Sequence, residues 1–126
     1  TIEQLAAAKF LEPVCRALTS NTVCIGGVSP GRDEPRAMRL FGAGAGQMDR
    51  VASCRLAVEK AGAHAHGAVA YSDAFFPFSD GPKILVDAGV RCIVHTGGSK
   101  RDQETFDLCN ERGVTCLVTG LRHFRH

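Results

Sequence analysis

The chain has 126 residues, 44% hydrophobic and 22% charged, with fifteen Lys and Arg against thirteen Asp and Glu for a net charge of +2. That length supports one domain burying about two thirds of its unfolded surface, and the composition excludes a disordered chain. The weak charge argues against nucleic-acid or membrane-surface partners, and no apolar run approaches the roughly 20 residues of a membrane span.

No signal-peptide organisation opens the chain, so a cytoplasmic protein is expected, and the start at Thr1 rather than Met is read as a processed or excised piece. Gln4 to Leu18 is helical in composition, with Phe10, Val14, Ala17 and Leu18 on one face, and Pro13 is expected to break or restart the helix. Thr22 to Ile25 reads as a strand ended by Gly26-Gly27. Val28 to Met38, with two prolines and alternating charges, reads as a surface loop. Arg39 to Ala43 returns as a second strand, antiparallel to the first.

A helix follows from about Gln47 to Ala61, closed by Gly62, then a strand over Ala68 to Tyr71. Pro82 to Ala88 is a short helix closed by Gly89, and Val90 to His95 a strand. Lys100 to Arg112 is a helix closed by Gly113, and Val114 to Thr119 the last strand. The order α-β-β-α-β-α-β-α-β predicts a single α/β domain over residues 1–126: three α-β-α layers around a mixed, mostly parallel sheet.

The six cysteines, Cys15, Cys24, Cys54, Cys92, Cys109 and Cys116, form no C-x-x-C pair. Buried, reduced core thiols are favoured over a metal site, in keeping with a reducing compartment. His64 and His66 read as loop histidines.

In such sheets, ligands collect beyond the carboxyl ends of the strands. Three segments fall there. Gly42-Ala43-Gly44-Ala45-Gly46, leading to Arg50, is either a plain tight turn or an anion site. Ser72 to Asp80 brings Phe75, Phe76, Pro77 and Phe78 beside two carboxylates; core packing accounts for one or two of the phenylalanines, and a wall for a flat heteroaromatic ligand is the favoured reading of the run. Gly97-Gly98-Ser99, with Asp102, reads as a capping box whose N–H groups could also meet a carboxylate or carbonyl. The basic ending, residues 121–126, is either a solvated tail or a phosphate contact through Arg122.

Together, Ser20-Asn21, Gly44-Ala45-Gly46-Gln47-Met48 with Arg50, the run Ser72 to Phe78 with Asp80, Gly97-Gly98-Ser99 and the ending Leu121-Arg122-His123-Phe124-Arg125-His126 resemble a known family over nearly the whole chain. It is the bifunctional purine enzyme that carries AICAR transformylase and IMP cyclohydrolase. The resemblance implies the second of two cytidine-deaminase-like subdomains of the transformylase region. It implies transfer of a formyl group from the cosubstrate 10-formyltetrahydrofolate to AICAR, without a metal. The segments Gln47-Met48-Asp49 and Phe75-Phe76-Pro77 hold neither His nor Cys where zinc deaminases place ligands.

By the same resemblance, Asn21 lies near the reacting amine and formyl group, as the catalytic position. Arg50, Phe75, Pro77, Phe78, Asp80 and Ser99 line the folate site, with Asp80 at the pterin edge and Phe75 against its ring. Arg122 and Phe124 hold the nucleotide, at its phosphate and base. The family's Lys-His pair, which does the proton work, lies upstream of this region, and no Lys-His dipeptide occurs here. A companion subdomain or chain would supply it, and the partners the resemblance implies are AICAR and folate with a homo-oligomer or a companion transformylase subunit. A folate- or nucleotide-binding module without catalysis, and a structural leftover that packs in an oligomer and binds nothing, stand beside that reading.

Overall fold

The computed structural model describes residues 1–28 and 37–120. The body of the Val28 to Met38 loop, and the ending with Arg122 and Phe124, lie outside the described residues.

In chain order the elements are α1 (Ile2–Ala17), β1 (Val23–Val28), β2 (Met38–Gly44), α2 (Arg50–Ala61), a 3-10 turn (Gly62–Ala65), β3 (Val69–Ser72), α3 (Asp80–Asp87), β4 (Cys92–His95), α4 (Asp102–Arg112) and β5 (Thr115–Val118). The strands lie in the order β2-β1-β3-β4-β5. β1 pairs antiparallel with both of its neighbours, whereas β3–β4 and β4–β5 are parallel. Four strands therefore run in one sense and β1 alone runs against them: the sheet is mixed and mostly parallel. Parallel neighbours need crossovers, which α3 and α4 supply.

Two apolar layers sandwich the sheet. On one face α2, α3 and α4 close over Val23, Ile25, Cys54, Phe76, Leu85 and Ile93. On the other, α1 presents Ala7, Leu11 and Cys15 to Cys24, Tyr71 and Val94. All six cysteines are free, five of them buried and Cys116 half-buried. Burial pushes the Cys54 thiol up to about 12 and the Cys92 thiol up to about 11, so both stay protonated and pack as small hydrophobes. No helix among the described residues is long and apolar enough to cross a membrane.

Several local expectations are corrected. Pro13 does not break α1, which runs unbroken from Ile2 to Ala17. Lys9 and Pro13 are both exposed, so the helical bond that the proline ring removes is lost on the water side. The buried stripe Ala7, Leu11, Cys15 holds the helix on its other side. Gly26-Gly27 does not end β1 but lies within it. A Cβ at Gly26 would stand 2.8 Å from Leu11 Cδ2, so the bare backbone there is where α1 seats its leucine. The ladder with β2 slips between Ile25 and Gly26, a bulge with Phe41 as the extra residue, and Phe41 stacks on His64 at 5.1 Å. His64 therefore belongs to the 3-10 turn and to a ring contact, not to an open loop. Gly113 ends α4 in the left-handed conformation expected of it.

Candidate functional site

β2, β3 and β4 all point their carboxyl ends at one rim of the sheet, where β1 begins: Val23 pairs with both Gly44 and Ser72. The segments before β1, before α2, after β3 and after β4 meet at this rim, as an α/β sheet requires of its ligand end.

At the centre is a buried ion pair. Arg50, the first residue of α2, faces Asp73, the residue after β3, and both side chains are withdrawn from solvent. Arg50 Nη1 donates to Asp73 Oδ1 and to the Thr22 carbonyl at 3.2 Å. Asp73 Oδ2 accepts from Ser20 Oγ at 2.7 Å, and Oδ1 accepts from the Thr22 N–H at 3.3 Å. Arg50 Nη2 donates to Asn21 Oδ1 at 2.9 Å, while Asn21 Nδ2 donates to the Gln47 carbonyl at 3.1 Å. Ser53 Oγ, one turn along α2, donates to the Asn21 carbonyl at 2.7 Å. Pairing and hydrogen bonds of this kind offset the cost of withdrawing the two side chains from water.

Beside this network opens a cleft of about 360 Å³, lined by Asn21, Met48, Asp49, Arg50, Phe75 and Pro77 among others. A smaller hollow of about 150 Å³ continues past Pro77 to Phe78, Val51 and Gly81. Phe76 is buried in the core, whereas Phe78 is half exposed with the Arg101 guanidinium 5.0 Å over its ring. The aromatic run therefore splits: Phe76 packs inward, and Phe75, Pro77 and Phe78 form the wall.

Of the residues singled out in the sequence, the structure brings Asn21, Arg50, Phe75 and Pro77 to one cleft, with Phe78 next to it. Asp80 is exposed at the start of α3 and lines neither hollow. Ser99 is half-buried on a loop whose Gly98 stands against Phe75, a Cβ there falling 4.0 Å from its ring. Arg122 and Phe124 lie outside the described residues. Asp73, Ser20 and Thr22 were missed as a group. The available signal was an acidic residue directly after an apolar strand, which demands a cation once buried.

Two sequence readings change here. Gly42 and Gly44 are not a ligand cradle: both lie in β2, and a Cβ at Gly44 would fall 2.1 Å from the Ser53 carbonyl oxygen, one at Gly42 2.4 Å from that of Ala57. They let α2 lie directly on the strand. Nor are the N–H groups of Gly97 to Ser99 bare. Gly97 N–H donates to His95 Nδ1 at 3.2 Å, and Gly98 and Ser99 donate to the Asp102 carboxylate at 2.8 and 3.3 Å. Only half of the capping box forms, because Ser99 Oγ accepts from the Arg101 N–H instead of from Asp102.

His95 is fully buried between Phe76 and Phe106, its Nε2 3.4 Å from Cys116 Sγ. A backbone N–H can only donate, so Nδ1 is the bare nitrogen and Nε2 carries the hydrogen. Burial pushes its pKa below the ordinary value and keeps the ring neutral. Among the described residues no three His, Cys, Asp or Glu side chains are placed to hold a metal ion.

The bifunctional purine biosynthesis protein PurH of Cutibacterium acnes is 47% identical to this chain over 124 residues, which is 97% of the chain and 22% of the relative. The chain is the counterpart of one segment of PurH. PurH of Neisseria gonorrhoeae is 43% identical over 120 residues, and that of Neisseria meningitidis 42%, each matched over 93% of the chain and 21% of the relative. The chain thus spans about a fifth of the length of these PurH relatives. No family model matches it. Among solved structures, Acinetobacter baumannii RibD superposes with a TM-score of 0.53 over 92% of this chain and 34% of its own, at 20% identity. At that identity the likeness is one of fold, and the fold of this chain is cytidine-deaminase-like.

Proposed function

We propose that the chain acts in purine biosynthesis as part of an AICAR formyltransferase, passing a formyl group from 10-formyltetrahydrofolate to the amine of AICAR. The similarity to PurH supports the pathway, and the cleft supports the chemistry. The single observation that carries the reading is an oriented amide, Asn21, at a cleft walled by Phe75 and Pro77. An aromatic wall takes a flat ring by stacking, and a neutral amide can donate to the acyl oxygen and accept from the incoming amine without itself taking up a proton. The volume is in the range of small-ligand sites.

In this reading the amine adds to the formyl carbon, the carbon–N10 bond of the folate breaks, and a proton passes from the amine to the departing nitrogen. Asn21 holds the acyl group in line, and Phe75, Pro77 and Phe78 hold the ring. Asp80 and Ser99 would complete the folate site, and Arg122 and Phe124 would take the nucleotide. A companion segment or chain bearing a Lys-His pair would carry the proton.

One observation favours a second reading, a binding module without turnover. Among the described residues, the titratable side chains lining the cleft are Asp49 and Arg50, and both are engaged: Asp49 Oδ1 caps α2 by accepting from the Ala52 N–H at 2.7 Å, and Arg50 is held by Asp73. Isothermal titration of the chain with a 10-formyltetrahydrofolate analogue, and separately with AICAR, tests both readings. Folate binding that falls about tenfold in Phe75→Ala is expected, that being roughly the worth of one good aromatic contact. No heat with either ligand from a folded chain would sink both readings. Binding without formyl transfer, even with a Lys-His-bearing segment added, selects the module.

A further inference from the structure

We infer that Asp73, which does not itself line the cleft, is a positioning residue that sets the orientation of the Asn21 amide through Arg50. The inference rests on the reading above only for what the amide is oriented toward; the positioning itself is geometric.

The chain of constraint starts at the buried carboxylate. Ser20 Oγ, the Thr22 N–H and Arg50 Nη1 all donate to it, and two of these come from the segment that carries Asn21. Three donors on two oxygens fix the plane of the carboxylate, and the carboxylate with the Thr22 carbonyl fixes the planar guanidinium. The other terminal nitrogen, Nη2, then points at Asn21 Oδ1, and the Gln47 carbonyl takes Asn21 Nδ2. Turning the amide over would set its NH2 against the guanidinium and its oxygen against the Gln47 oxygen. Donor would face donor, and acceptor would face acceptor, so one orientation is permitted. In that orientation the amide keeps one N–H and one lone pair for the cleft.

A purely stabilising role accounts poorly for this arrangement. Arg50 Nε is buried with no hydrogen-bond partner among the described residues, and an unmade buried bond lowers stability. Buried ion pairs are, besides, often replaceable by apolar residues without loss. What an apolar pair could not do is hold an amide one way round.

The test is 15N–1H NMR of the Asn21 side-chain amide in the free chain, with titration of a 10-formyltetrahydrofolate analogue alongside. In the unaltered chain the Asn21 signals are expected well away from free-amide positions. In Asp73→Asn they return to those positions while backbone signals of β4 and α4 hold. Should the unpaired guanidinium prevent Asp73→Asn from folding, Asp73→Glu, which keeps the charge but displaces the carboxylate and leaves Arg50 in place, carries the same measurement. Affinity for the analogue is expected to fall about tenfold, as in Asn21→Ala, with no further loss when the changes are combined with Asn21→Ala. Unchanged Asn21 signals in a folded variant overturn the positioning role. Released Asn21 signals in a chain whose unaltered form binds no analogue uphold the positioning role and overturn the folate reading instead.

Discussion

His95 shows how much one buried side chain can decide. Its Nδ1 accepts the Gly97 N–H, and its ring lies between Phe76 and Phe106 under the loop that backs Phe75. Protonation would put a hydrogen on Nδ1 facing that N–H and release the Gly97 turn. Burial lowers the native pKa below the ordinary 6.5. Between the lowered value and 6.5 the unfolded chain binds the extra proton and the native chain does not. Stability is therefore expected to be full above about 6.5, to fall as pH drops through that window, and to level off below the native value. Urea midpoints from pH 7.5 to 5 should show this slope in the unaltered chain and a flatter one in His95→Gln. Equal slopes would mean that the imidazole already titrates freely.

At the scale of elements, the close approach of α2 to β2 places the site. Arg50 reaches Asp73 because α2 starts at the rim and lies flat on the strand, and Gly42 and Gly44 leave the space for it. Asp49 fixes the start of the helix by accepting from the Ala52 N–H. Gly44→Ala would drive a methyl into the Ser53 backbone, a contact that only a shift of the whole helix can relieve. The expected cost is about 1–3 kcal/mol or more by chemical denaturation, as for other overpacked positions, together with weakened ligand binding. Ala43→Gly, on the half-buried opposite face of the same strand, is the control and should move binding little. An unaltered denaturation midpoint in Gly44→Ala would show that α2 is free to lift.

For the whole molecule, the two faces of the sheet are unequally guarded. Among the described residues, three helices cover one face and α1 alone covers the other, with Leu11 seated over Gly26. α1 also braces the site: Cys15 Sγ donates to the Thr22 carbonyl at 3.8 Å, just beyond Asn21. Leu11→Ala removes a side chain with no exposed surface, and about 2–5 kcal/mol of stability is expected to go with it. Hydrogen exchange should speed up in α1 and at residues 20–22 before it does in α4. A uniform speeding across all helices would instead show one core without separable layers.

The reach of the sequence follows from the same physics. Periodicity and glycine punctuation are local, and they sufficed for the order and type of every described helix and strand. They also sufficed for the left-handed cap at Gly113, the inward thiols and the Phe75 to Phe78 junction. What they could not carry was the meaning of residues whose partners are remote in the chain. Gly26 is explained by Leu11 and Gly44 by Ser53; Asp73 is explained by Ser20 and Arg50. In one dimension Gly26-Gly27 looks like a strand end and Gly42 to Gly46 like a ligand loop, because a glycine that makes room for another element has the same signature as one that makes a turn. Pro13 misled for a related reason: whether its missing bond matters depends on which side of α1 faces water. The amino-acid order by itself determined the elements, the layers and the aromatic wall, and the tertiary contacts alone decided which polar groups are bound to one another and which face the cleft.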